Sequence, residues 1–286
     1  MIGRPVANRF ADQAGVDLHV AQQEIVLLYA LERLATSSVL SGLAFKGGSY
    51  LRKMLLGSAG RLSEDLDFTA NGLRKDPEVP VSRAFGEEAN GVRFRIEDPY
   101  RTSRGNWACS VKYSHHWDEG QFQLEISYRE RPSLPVESRA PIPQAYFEKL
   151  EFTPPPVPCL RVEEALAEKL RAAQQRATER DLFDLTQYAK MKFDERLVRR
   201  LAVAKLWNVR ERFDPERIVD TLEKGRKGWP DLERLIAMSR RKDWNGECRV
   251  AARRFKFLLV LDEFERRLIA DHRRHRLAAE MMQKLG

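Results

Sequence analysis

Two short stretches of this chain hold the side chains best suited to chemistry. They are Lys46-Gly47-Gly48-Ser49 and Arg61-Leu62-Ser63-Glu64-Asp65-Leu66-Asp67. Two adjacent glycines let a backbone approach a ligand closely with its N–H groups exposed. Ser49 then opens a predicted helix, whose first N–H groups and dipole favour an anion. A triphosphate suits that position. Asp65 and Asp67 lie two apart on a predicted strand and therefore share a face. Neighbouring carboxylates repel unless a divalent cation bridges them, and Mg²⁺ is the natural choice. A phosphate cradle beside a carboxylate pair is the apparatus of phosphoryl or nucleotidyl transfer. Taken singly, Gly-Gly-Ser is also a common turn and Asp-x-Asp a common strand end. Their order (strand, Gly-Gly-Ser, helix, Asp-x-Asp strand) is the more specific signal.

The elements that must position these residues can be read from periodicity. A short buried strand, 43–45, precedes the glycines, and a helix carrying Tyr50, Leu51, Met54 and Leu55 follows them. Residues 65–70 alternate as a half-buried strand, and 92–98, 106–116 and 120–130 are further strands. The last two form a hairpin about Trp117–Glu119. In 120–130, Phe122, Leu124 and Ile126 take one face and Gln123, Glu125 and Ser127 the other. A helix over 17–36 starts at a capping Asp17. Residues 152–158 hold four prolines and predict a stiff extended linker, a domain boundary. Beyond it, helices are predicted over 161–190, 195–207, 214–225, 230–241 and 247–284, with Pro215 after Asp214 as a start signal.

Composition bounds the class. Of 286 residues, 43% are apolar and 32% charged, as in ordinary soluble domains. The longest apolar run, 25–31, is too short to span a bilayer, which needs about 20 residues. With Arg4, Arg9, Asp12, Asp17 and Glu24 in the first 24 residues, no signal peptide is expected. Cys109, Cys159 and Cys248 lie far apart with no Cys-x-x-Cys, so neither a disulfide framework nor a cysteine zinc site is expected, and a reducing cytoplasm fits. Residues 1–160 hold 19 Lys+Arg against 20 Asp+Glu, whereas 161–286 hold 31 against 22. All of the +8 net charge thus comes from the C-terminal part. It suits either a polyanionic partner, nucleic acid first, or a well-solvated arginine-rich helical surface.

A third stretch carries charge in a pattern. If 161–189 is one helix, Lys169, Arg176, Arg180 and Asp184 form a single stripe beside Leu166, Leu170, Ala173 and Ala177. Lys169 would bind a triphosphate as a point charge. Arg180 would add a phosphate contact or pair with Asp184 at i,i+4. A solvated salt-bridge ladder explains the same stripe. Asp181 lies further round and could orient Arg180. Arg61 is open between phosphate and surface, and Ser63 suits a turn bond. His115 and His116 face opposite sides of a strand and do not share a metal. His272 and His275 sit among arginines in Asp-His-Arg-Arg-His-Arg, where positive neighbours oppose a cation; a solvated or RNA-facing helix end fits better.

The segments FKGGSYLRKMLL, RLSEDLDF and EKLRAAQQRATERDLFDL resemble the DNA-polymerase-β-like nucleotidyltransferases, and among them the AbiEii/AbiGii toxins of bacterial toxin–antitoxin pairs. The likeness is close over these segments and follows the order of elements over about 20–190. One departure is that 15 residues separate Ser49 from Asp65, more than is usual, which implies a longer helix or loop. The resemblance implies an α+β fold. A catalytic domain (1–151) would hold a mixed sheet with helices, a proline-rich linker would cover 152–159, and an all-helical domain (160–286) would close the nucleotide site. It implies Mg²⁺ on Asp65, Asp67 and a third carboxylate, Glu125. It implies a nucleotide held by Gly47, Gly48, Ser49, Lys169 and Arg180, with Lys169 and Asp184 matching the family's Lys…Arg-Asp-x-x-Asp pattern. The implied activity is transfer of a nucleoside monophosphate from an NTP to a tRNA 3′ end in the cytoplasm, blocking translation, under control of a cognate antitoxin. Phosphorylation of Ser49 would then inactivate it. The alternatives are transfer to a protein or small molecule, and a non-catalytic RNA-binding module.

Overall fold

Strand alternation and helix periodicity build two units in the computed structural model of this protein, which describes residues 1–73, 76–103, 105–237, 243–278 and 280–281. The first unit comprises Met1–Pro132, Val136–Leu160 and a return segment beginning at Glu233. The second comprises Ser133–Pro135, Arg161–Leu232 and the C-terminal elements that follow the return segment.

The first unit is organised by a seven-stranded mixed sheet of order β3-β4-β5-β2-β1-β7-β6. Its strands are β1 (Leu43–Lys46), β2 (Asp65–Ala70), β3 (Val92–Arg101), β4 (Trp107–His115), β5 (Asp118–Ser127), β6 (Glu137–Arg139) and β7 (Val157–Cys159). β1 is central and its Leu43, Ala44 and Phe45 are buried. It pairs antiparallel with β2 and parallel with β7. β2 runs parallel to β5, which forms the expected hairpin with β4. Helices α1 (Arg4–Ala14), α2 (Leu18–Thr36), α3 (Gly47–Tyr50) and α4 (Glu78–Phe85) complete the unit. α2 starts after Asp17 as predicted, although the Asp17 carboxylate makes no capping hydrogen bond.

The proline-rich stretch is not linker throughout. Its end is β7, lying between β1 and β6, and Leu160 N–H continues the pairing with a 3.1 Å bond to the Phe45 carbonyl. Pro158 has no N–H to donate, yet a three-residue strand tolerates it between Val157 and Cys159. The return segment closes on β2's approach: Leu62 N–H donates 2.9 Å to the Leu235 carbonyl, and the Arg234 guanidinium grips the Glu64 carboxylate.

The second unit is helical. It holds α5 (Val162–Gln175), α6 (Glu179–Tyr188), α7 (Glu195–Asn208), α8 (Pro215–Lys224), the single turn α9 (Pro230–Glu233, its last residue beginning the return segment), α10 (Trp244–Arg254) and α11 (Glu263–Asp271). Two predicted helices are broken, and the one predicted over 230–241 ends after a single turn at Glu233. The 161–190 helix stops at Gln175 because Ala177 takes a left-handed φ of 49° and Thr178 opens a capping box with Asp181. The 247–284 helix is interrupted after Phe255–Leu259, and Asp262 caps α11 in a second box with Glu265. Its positions 279 and 282–284, and 238–241 of the predicted 230–241 helix, lie outside the described residues. Buried ion pairs tie the helices: Lys205 to Glu164 at 2.8 Å, and Arg199 to Glu265 at 2.8 Å. Among the described residues, no helix is long and apolar enough to cross a membrane. The three cysteines are free and buried, and burial pushes each thiol up to about 12.

Candidate active site

β1 delivers the chain directly into α3, so the glycines sit where strand becomes helix. Gly47 has φ +78°, a conformation that favours glycine, and a Cβ there would collide with the Asp67 carboxylate. A Cβ on Gly48 would collide with the Arg61 guanidinium. Each glycine thus makes room for one particular side chain. Arg61 is buried and donates 3.2 Å to the Leu62 carbonyl, so of its two readings the exposed surface one is excluded. After α3 the helix widens into a π-type turn, Leu51–Leu56, followed by a tight turn at Gly57–Ala59. These absorb the long spacing between Ser49 and Asp65.

Ser49 is buried, and its hydroxyl donates to the Asp65 carbonyl. The serine fastens the start of the helix to the start of β2. On β2, Leu66 and Phe68 are buried while Asp65 and Asp67 are partly exposed on the opposite face. The parallel register sets Asp65 opposite Gln123 and Asp67 opposite Glu125. Asp67 and Glu125 therefore project from one face of neighbouring strands. An open depression of about 230 Å³ flanks Asp65, lined also by His19, Gln23, Glu64, Gln121, Phe122 and Gln123.

Glu125 is held by a residue that sequence reading did not single out. Asn106 Nδ2 donates 2.6 Å to Glu125 Oε1, and Ser127 Oγ donates 3.2 Å to Asn106 Oδ1. The Asn106 N–H is itself fixed, at 3.1 Å, on Thr102 Oγ1. The only sequence signal was an amide just ahead of the Trp107 strand. Asp65, Asp67 and Glu125 are hard oxygen donors on one face, the chemistry Mg²⁺ requires. Among the described residues, no three His, Cys, Asp or Glu converge to metal-binding geometry. The fit is thus one of donor type and face, with Glu125 drawn toward Asn106. His115 packs tilted against Trp117, with ring centroids 4.5 Å and planes 58° apart, and meets the Gln22 amide at 3.1 Å.

In the helical unit the expected stripe does not exist, because the helix that would carry it is broken. The break turns α6 back on α5 and produces a compact charge cluster instead. Lys169 Nζ lies 2.7 Å from Asp184 Oδ2 and 3.3 Å from Asp181 Oδ1. Arg176 Nε lies 2.8 Å from Asp181 Oδ2, and the Thr178 hydroxyl donates to the same oxygen at 2.7 Å. Asp181 thus binds Lys169, Arg176 and Thr178. Burial alone would raise its pKa. Lys169, Arg176 and Thr178 outweigh burial and hold the carboxyl well below the usual carboxylate range. Asp184 is fully buried, and Arg180 is half-buried on α6.

A family model described as the nucleotidyl transferase AbiEii toxin of type IV toxin–antitoxin systems matches residues 29–270. Among solved structures, MenT4, a nucleotidyltransferase toxin from Mycobacterium tuberculosis H37Rv, is 30% identical with a TM-score of 0.82, covering 100% of this chain and 99% of that one. JHP933 from Helicobacter pylori is 19% identical with a TM-score of 0.49, covering 94% of this chain and 99% of its own. A further structure from H. pylori is 21% identical with a TM-score of 0.48, covering 83% of this chain and 97% of its own. No curated protein sequence matches the chain.

Proposed function

The chain belongs to the AbiEii family and is a nucleotidyltransferase toxin of a toxin–antitoxin system, and from this premise we propose that it transfers a nucleoside monophosphate from an NTP to the 3′ end of a tRNA. The observation that carries the reading is the pairing of Asp67 with Glu125 across β2 and β5, with Asp65 on the same face and Gly47 cleared for Asp67. The basic balance of residues 161–286 supports a nucleic-acid acceptor. An antitoxin partner follows from the class of system.

In this reading the acceptor hydroxyl attacks the α-phosphorus in line, and pyrophosphate leaves. Asp65 and Asp67, with Glu125, would hold Mg²⁺. The ion when bound supplies charge neutralisation and a more acidic acceptor hydroxyl. Gly47 and Gly48 bring backbone to the leaving phosphates, at a helix start that Ser49 ties to β2. Arg61, packed over Gly48, adds positive charge beside them. Lys169 and Arg180 are assigned to the triphosphate, with Asp184 setting the position of Lys169.

The test is incubation of purified protein with total RNA, Mg²⁺ and each α-³²P-labelled NTP in turn, beside an Asp65→Ala/Asp67→Ala control. Label on a tRNA-sized band, lost in the control, supports the reading and names the nucleotide. Label confined to protein or small molecules overturns the tRNA acceptor. An unchanged cellular effect of the control variant would indicate a non-catalytic RNA-binding module.

A further inference from the structure

Near the C-terminal end of the helical unit, two arginine-bearing turns are fastened to one oxygen atom. The Trp207 carbonyl accepts the Arg210 N–H at 2.9 Å and meets His275 Nε2 at 2.7 Å. A carbonyl only accepts, so Nε2 carries the proton. The His275 ring also stacks on the Trp207 indole, with centroids 3.8 Å apart and planes 14° apart. Asp271 locks the same frame from below. Its carboxylate accepts Trp207 Nε1 at 3.2 Å and Leu277 N–H at 3.0 Å, and its carbonyl accepts the N–H groups of Arg274 and His275. Arg210 and His275 both take left-handed backbone conformations, φ 60° and 54°.

This frame presents Arg210, Arg212, Arg273, Arg274 and Arg276, all exposed. Among the described residues none of the five is in an ion pair, whereas Arg249, Arg254 and Arg267 of the same unit are matched to Asp243, Glu195 and Glu280. The acids within the two turns are occupied: Glu211 takes the Gln175 amide at 2.7 Å, and Asp271 is held as above. None of the large exposed apolar residues lies in either turn. A protein interface is built on an apolar centre. A surface of charge alone on a rigid frame suits a phosphate backbone, which guanidinium forks grip bidentately and without regard to sequence. The 273–276 turn lies beyond residue 270, where the family match ends.

We infer that these five arginines form a docking surface for the phosphate backbone of the acceptor RNA. The inference rests on the reading of RNA as acceptor. It assigns to this surface the grip on RNA, and leaves nucleotide chemistry to the residues already described.

The experiment uses the full chain carrying Asp65→Asn/Asp67→Asn, so that binding is read without turnover. Its affinity for bulk tRNA is measured by fluorescence anisotropy over a salt series. Arg273→Ala/Arg274→Ala/Arg276→Ala is expected to weaken binding at least ~10-fold. It should also flatten the dependence of log affinity on log salt by about 2, since each phosphate contact contributes roughly 0.7–0.9. Arg210→Ala/Arg212→Ala, on the other turn, is expected to weaken binding in the same sense. Replacing 273, 274 and 276 by Lys keeps the charge and is expected to keep most of the salt slope. Both alanine variants are checked for unchanged thermal unfolding. Alanine variants that bind tRNA with the parent's affinity and slope overturn the inference, and so does loss of antitoxin binding with RNA binding intact. If the parent binds no RNA and the chain with Asp65 and Asp67 intact labels none, the acceptor reading itself fails and this inference falls with it. Labelling by the otherwise wild-type chain separates these cases.

Discussion

Asn106 Nδ2 donates a 2.6 Å hydrogen bond to Glu125 Oε1, and this bond aims one of the three carboxylates on the sheet face. Residues that orient ligating carboxylates typically matter by 10–100-fold. Asn106→Ala is expected to lower kcat for nucleotide transfer by about that factor, with little change in the KM for NTP. It should also raise the Mg²⁺ concentration needed for half-maximal rate. Steady-state labelling across a Mg²⁺ series measures both. A variant that loses only thermal stability, at unchanged kcat and Mg²⁺ demand, would reduce Asn106 to a structural role.

Gly47 faces two demands at once, a left-handed φ and clearance for Asp67. Gly47→Ala is expected to cost about 1–2 kcal/mol in stability from backbone strain and to displace the Asp67 carboxylate. Misplacement by about an ångström can lower rates ~100-fold. Gly72→Ala is the control: its φ is +103°, but a Cβ there meets nothing within 4 Å. It should strain the chain and spare the activity. Parallel urea unfolding and labelling assays on the two variants decide the matter.

Lys169 neutralises a fully buried Asp184 at 2.7 Å. Removing one partner of such a pair typically destabilises by about 3–5 kcal/mol. Lys169→Ala should therefore lose stability as well as activity. Lys169→Met/Asp184→Leu should regain most of the stability, since apolar replacements of both partners are often neutral, while activity stays lost if Lys169 serves the nucleotide. Recovery of activity in the double variant would confine Lys169 to packing.

His115 supplies a pH dependence whose sign can be worked out. Burial lowers its pKa from 6.5 to about 4, against the opposing pull of Asp118. Between those values the unfolded chain binds the proton more readily than the folded one. Stability should therefore fall as pH drops from 6.5 toward 4. His115→Phe keeps a ring beside Trp117 and removes the proton site. Thermal unfolding at neutral pH and on two steps toward pH 4 should show a shallower decline for the variant.

The parts legible in the sequence were those with a local cause. Alternation in Asp65–Ala70 gave β2 its limits, because each apolar residue there is buried and each aspartate is not. The two glycines pointed to close approach, although their occupants, Asp67 and Arg61, come from the next strand and its approach and could not be read from spacing. The stripe through Lys169 and Asp184 assumed an unbroken helix. The capping box at Thr178 and Asp181, itself present in the sequence, is what breaks that helix. Lys169 and Asp184 do meet, but across a helical hairpin instead of along one helix. β6 and β7 are three residues each, too short to show a period, and a proline stands inside β7. Asn106 carries no pattern of its own, because its importance comes from what folds against it.

The strap from Glu233 back to the sheet has a consequence for the order in which the protein becomes complete. Leu235 supplies an acceptor for Leu62, and Arg234 a clamp on Glu64, the residue next to Asp65. A nascent chain that has emerged only as far as the sheet's last strand lacks both. The carboxylate strand gains these two supports only after more than 70 further residues have been synthesised, so the ribosome making this toxin must build most of the helical unit's α5–α9 segment before the sheet unit can close on its strap.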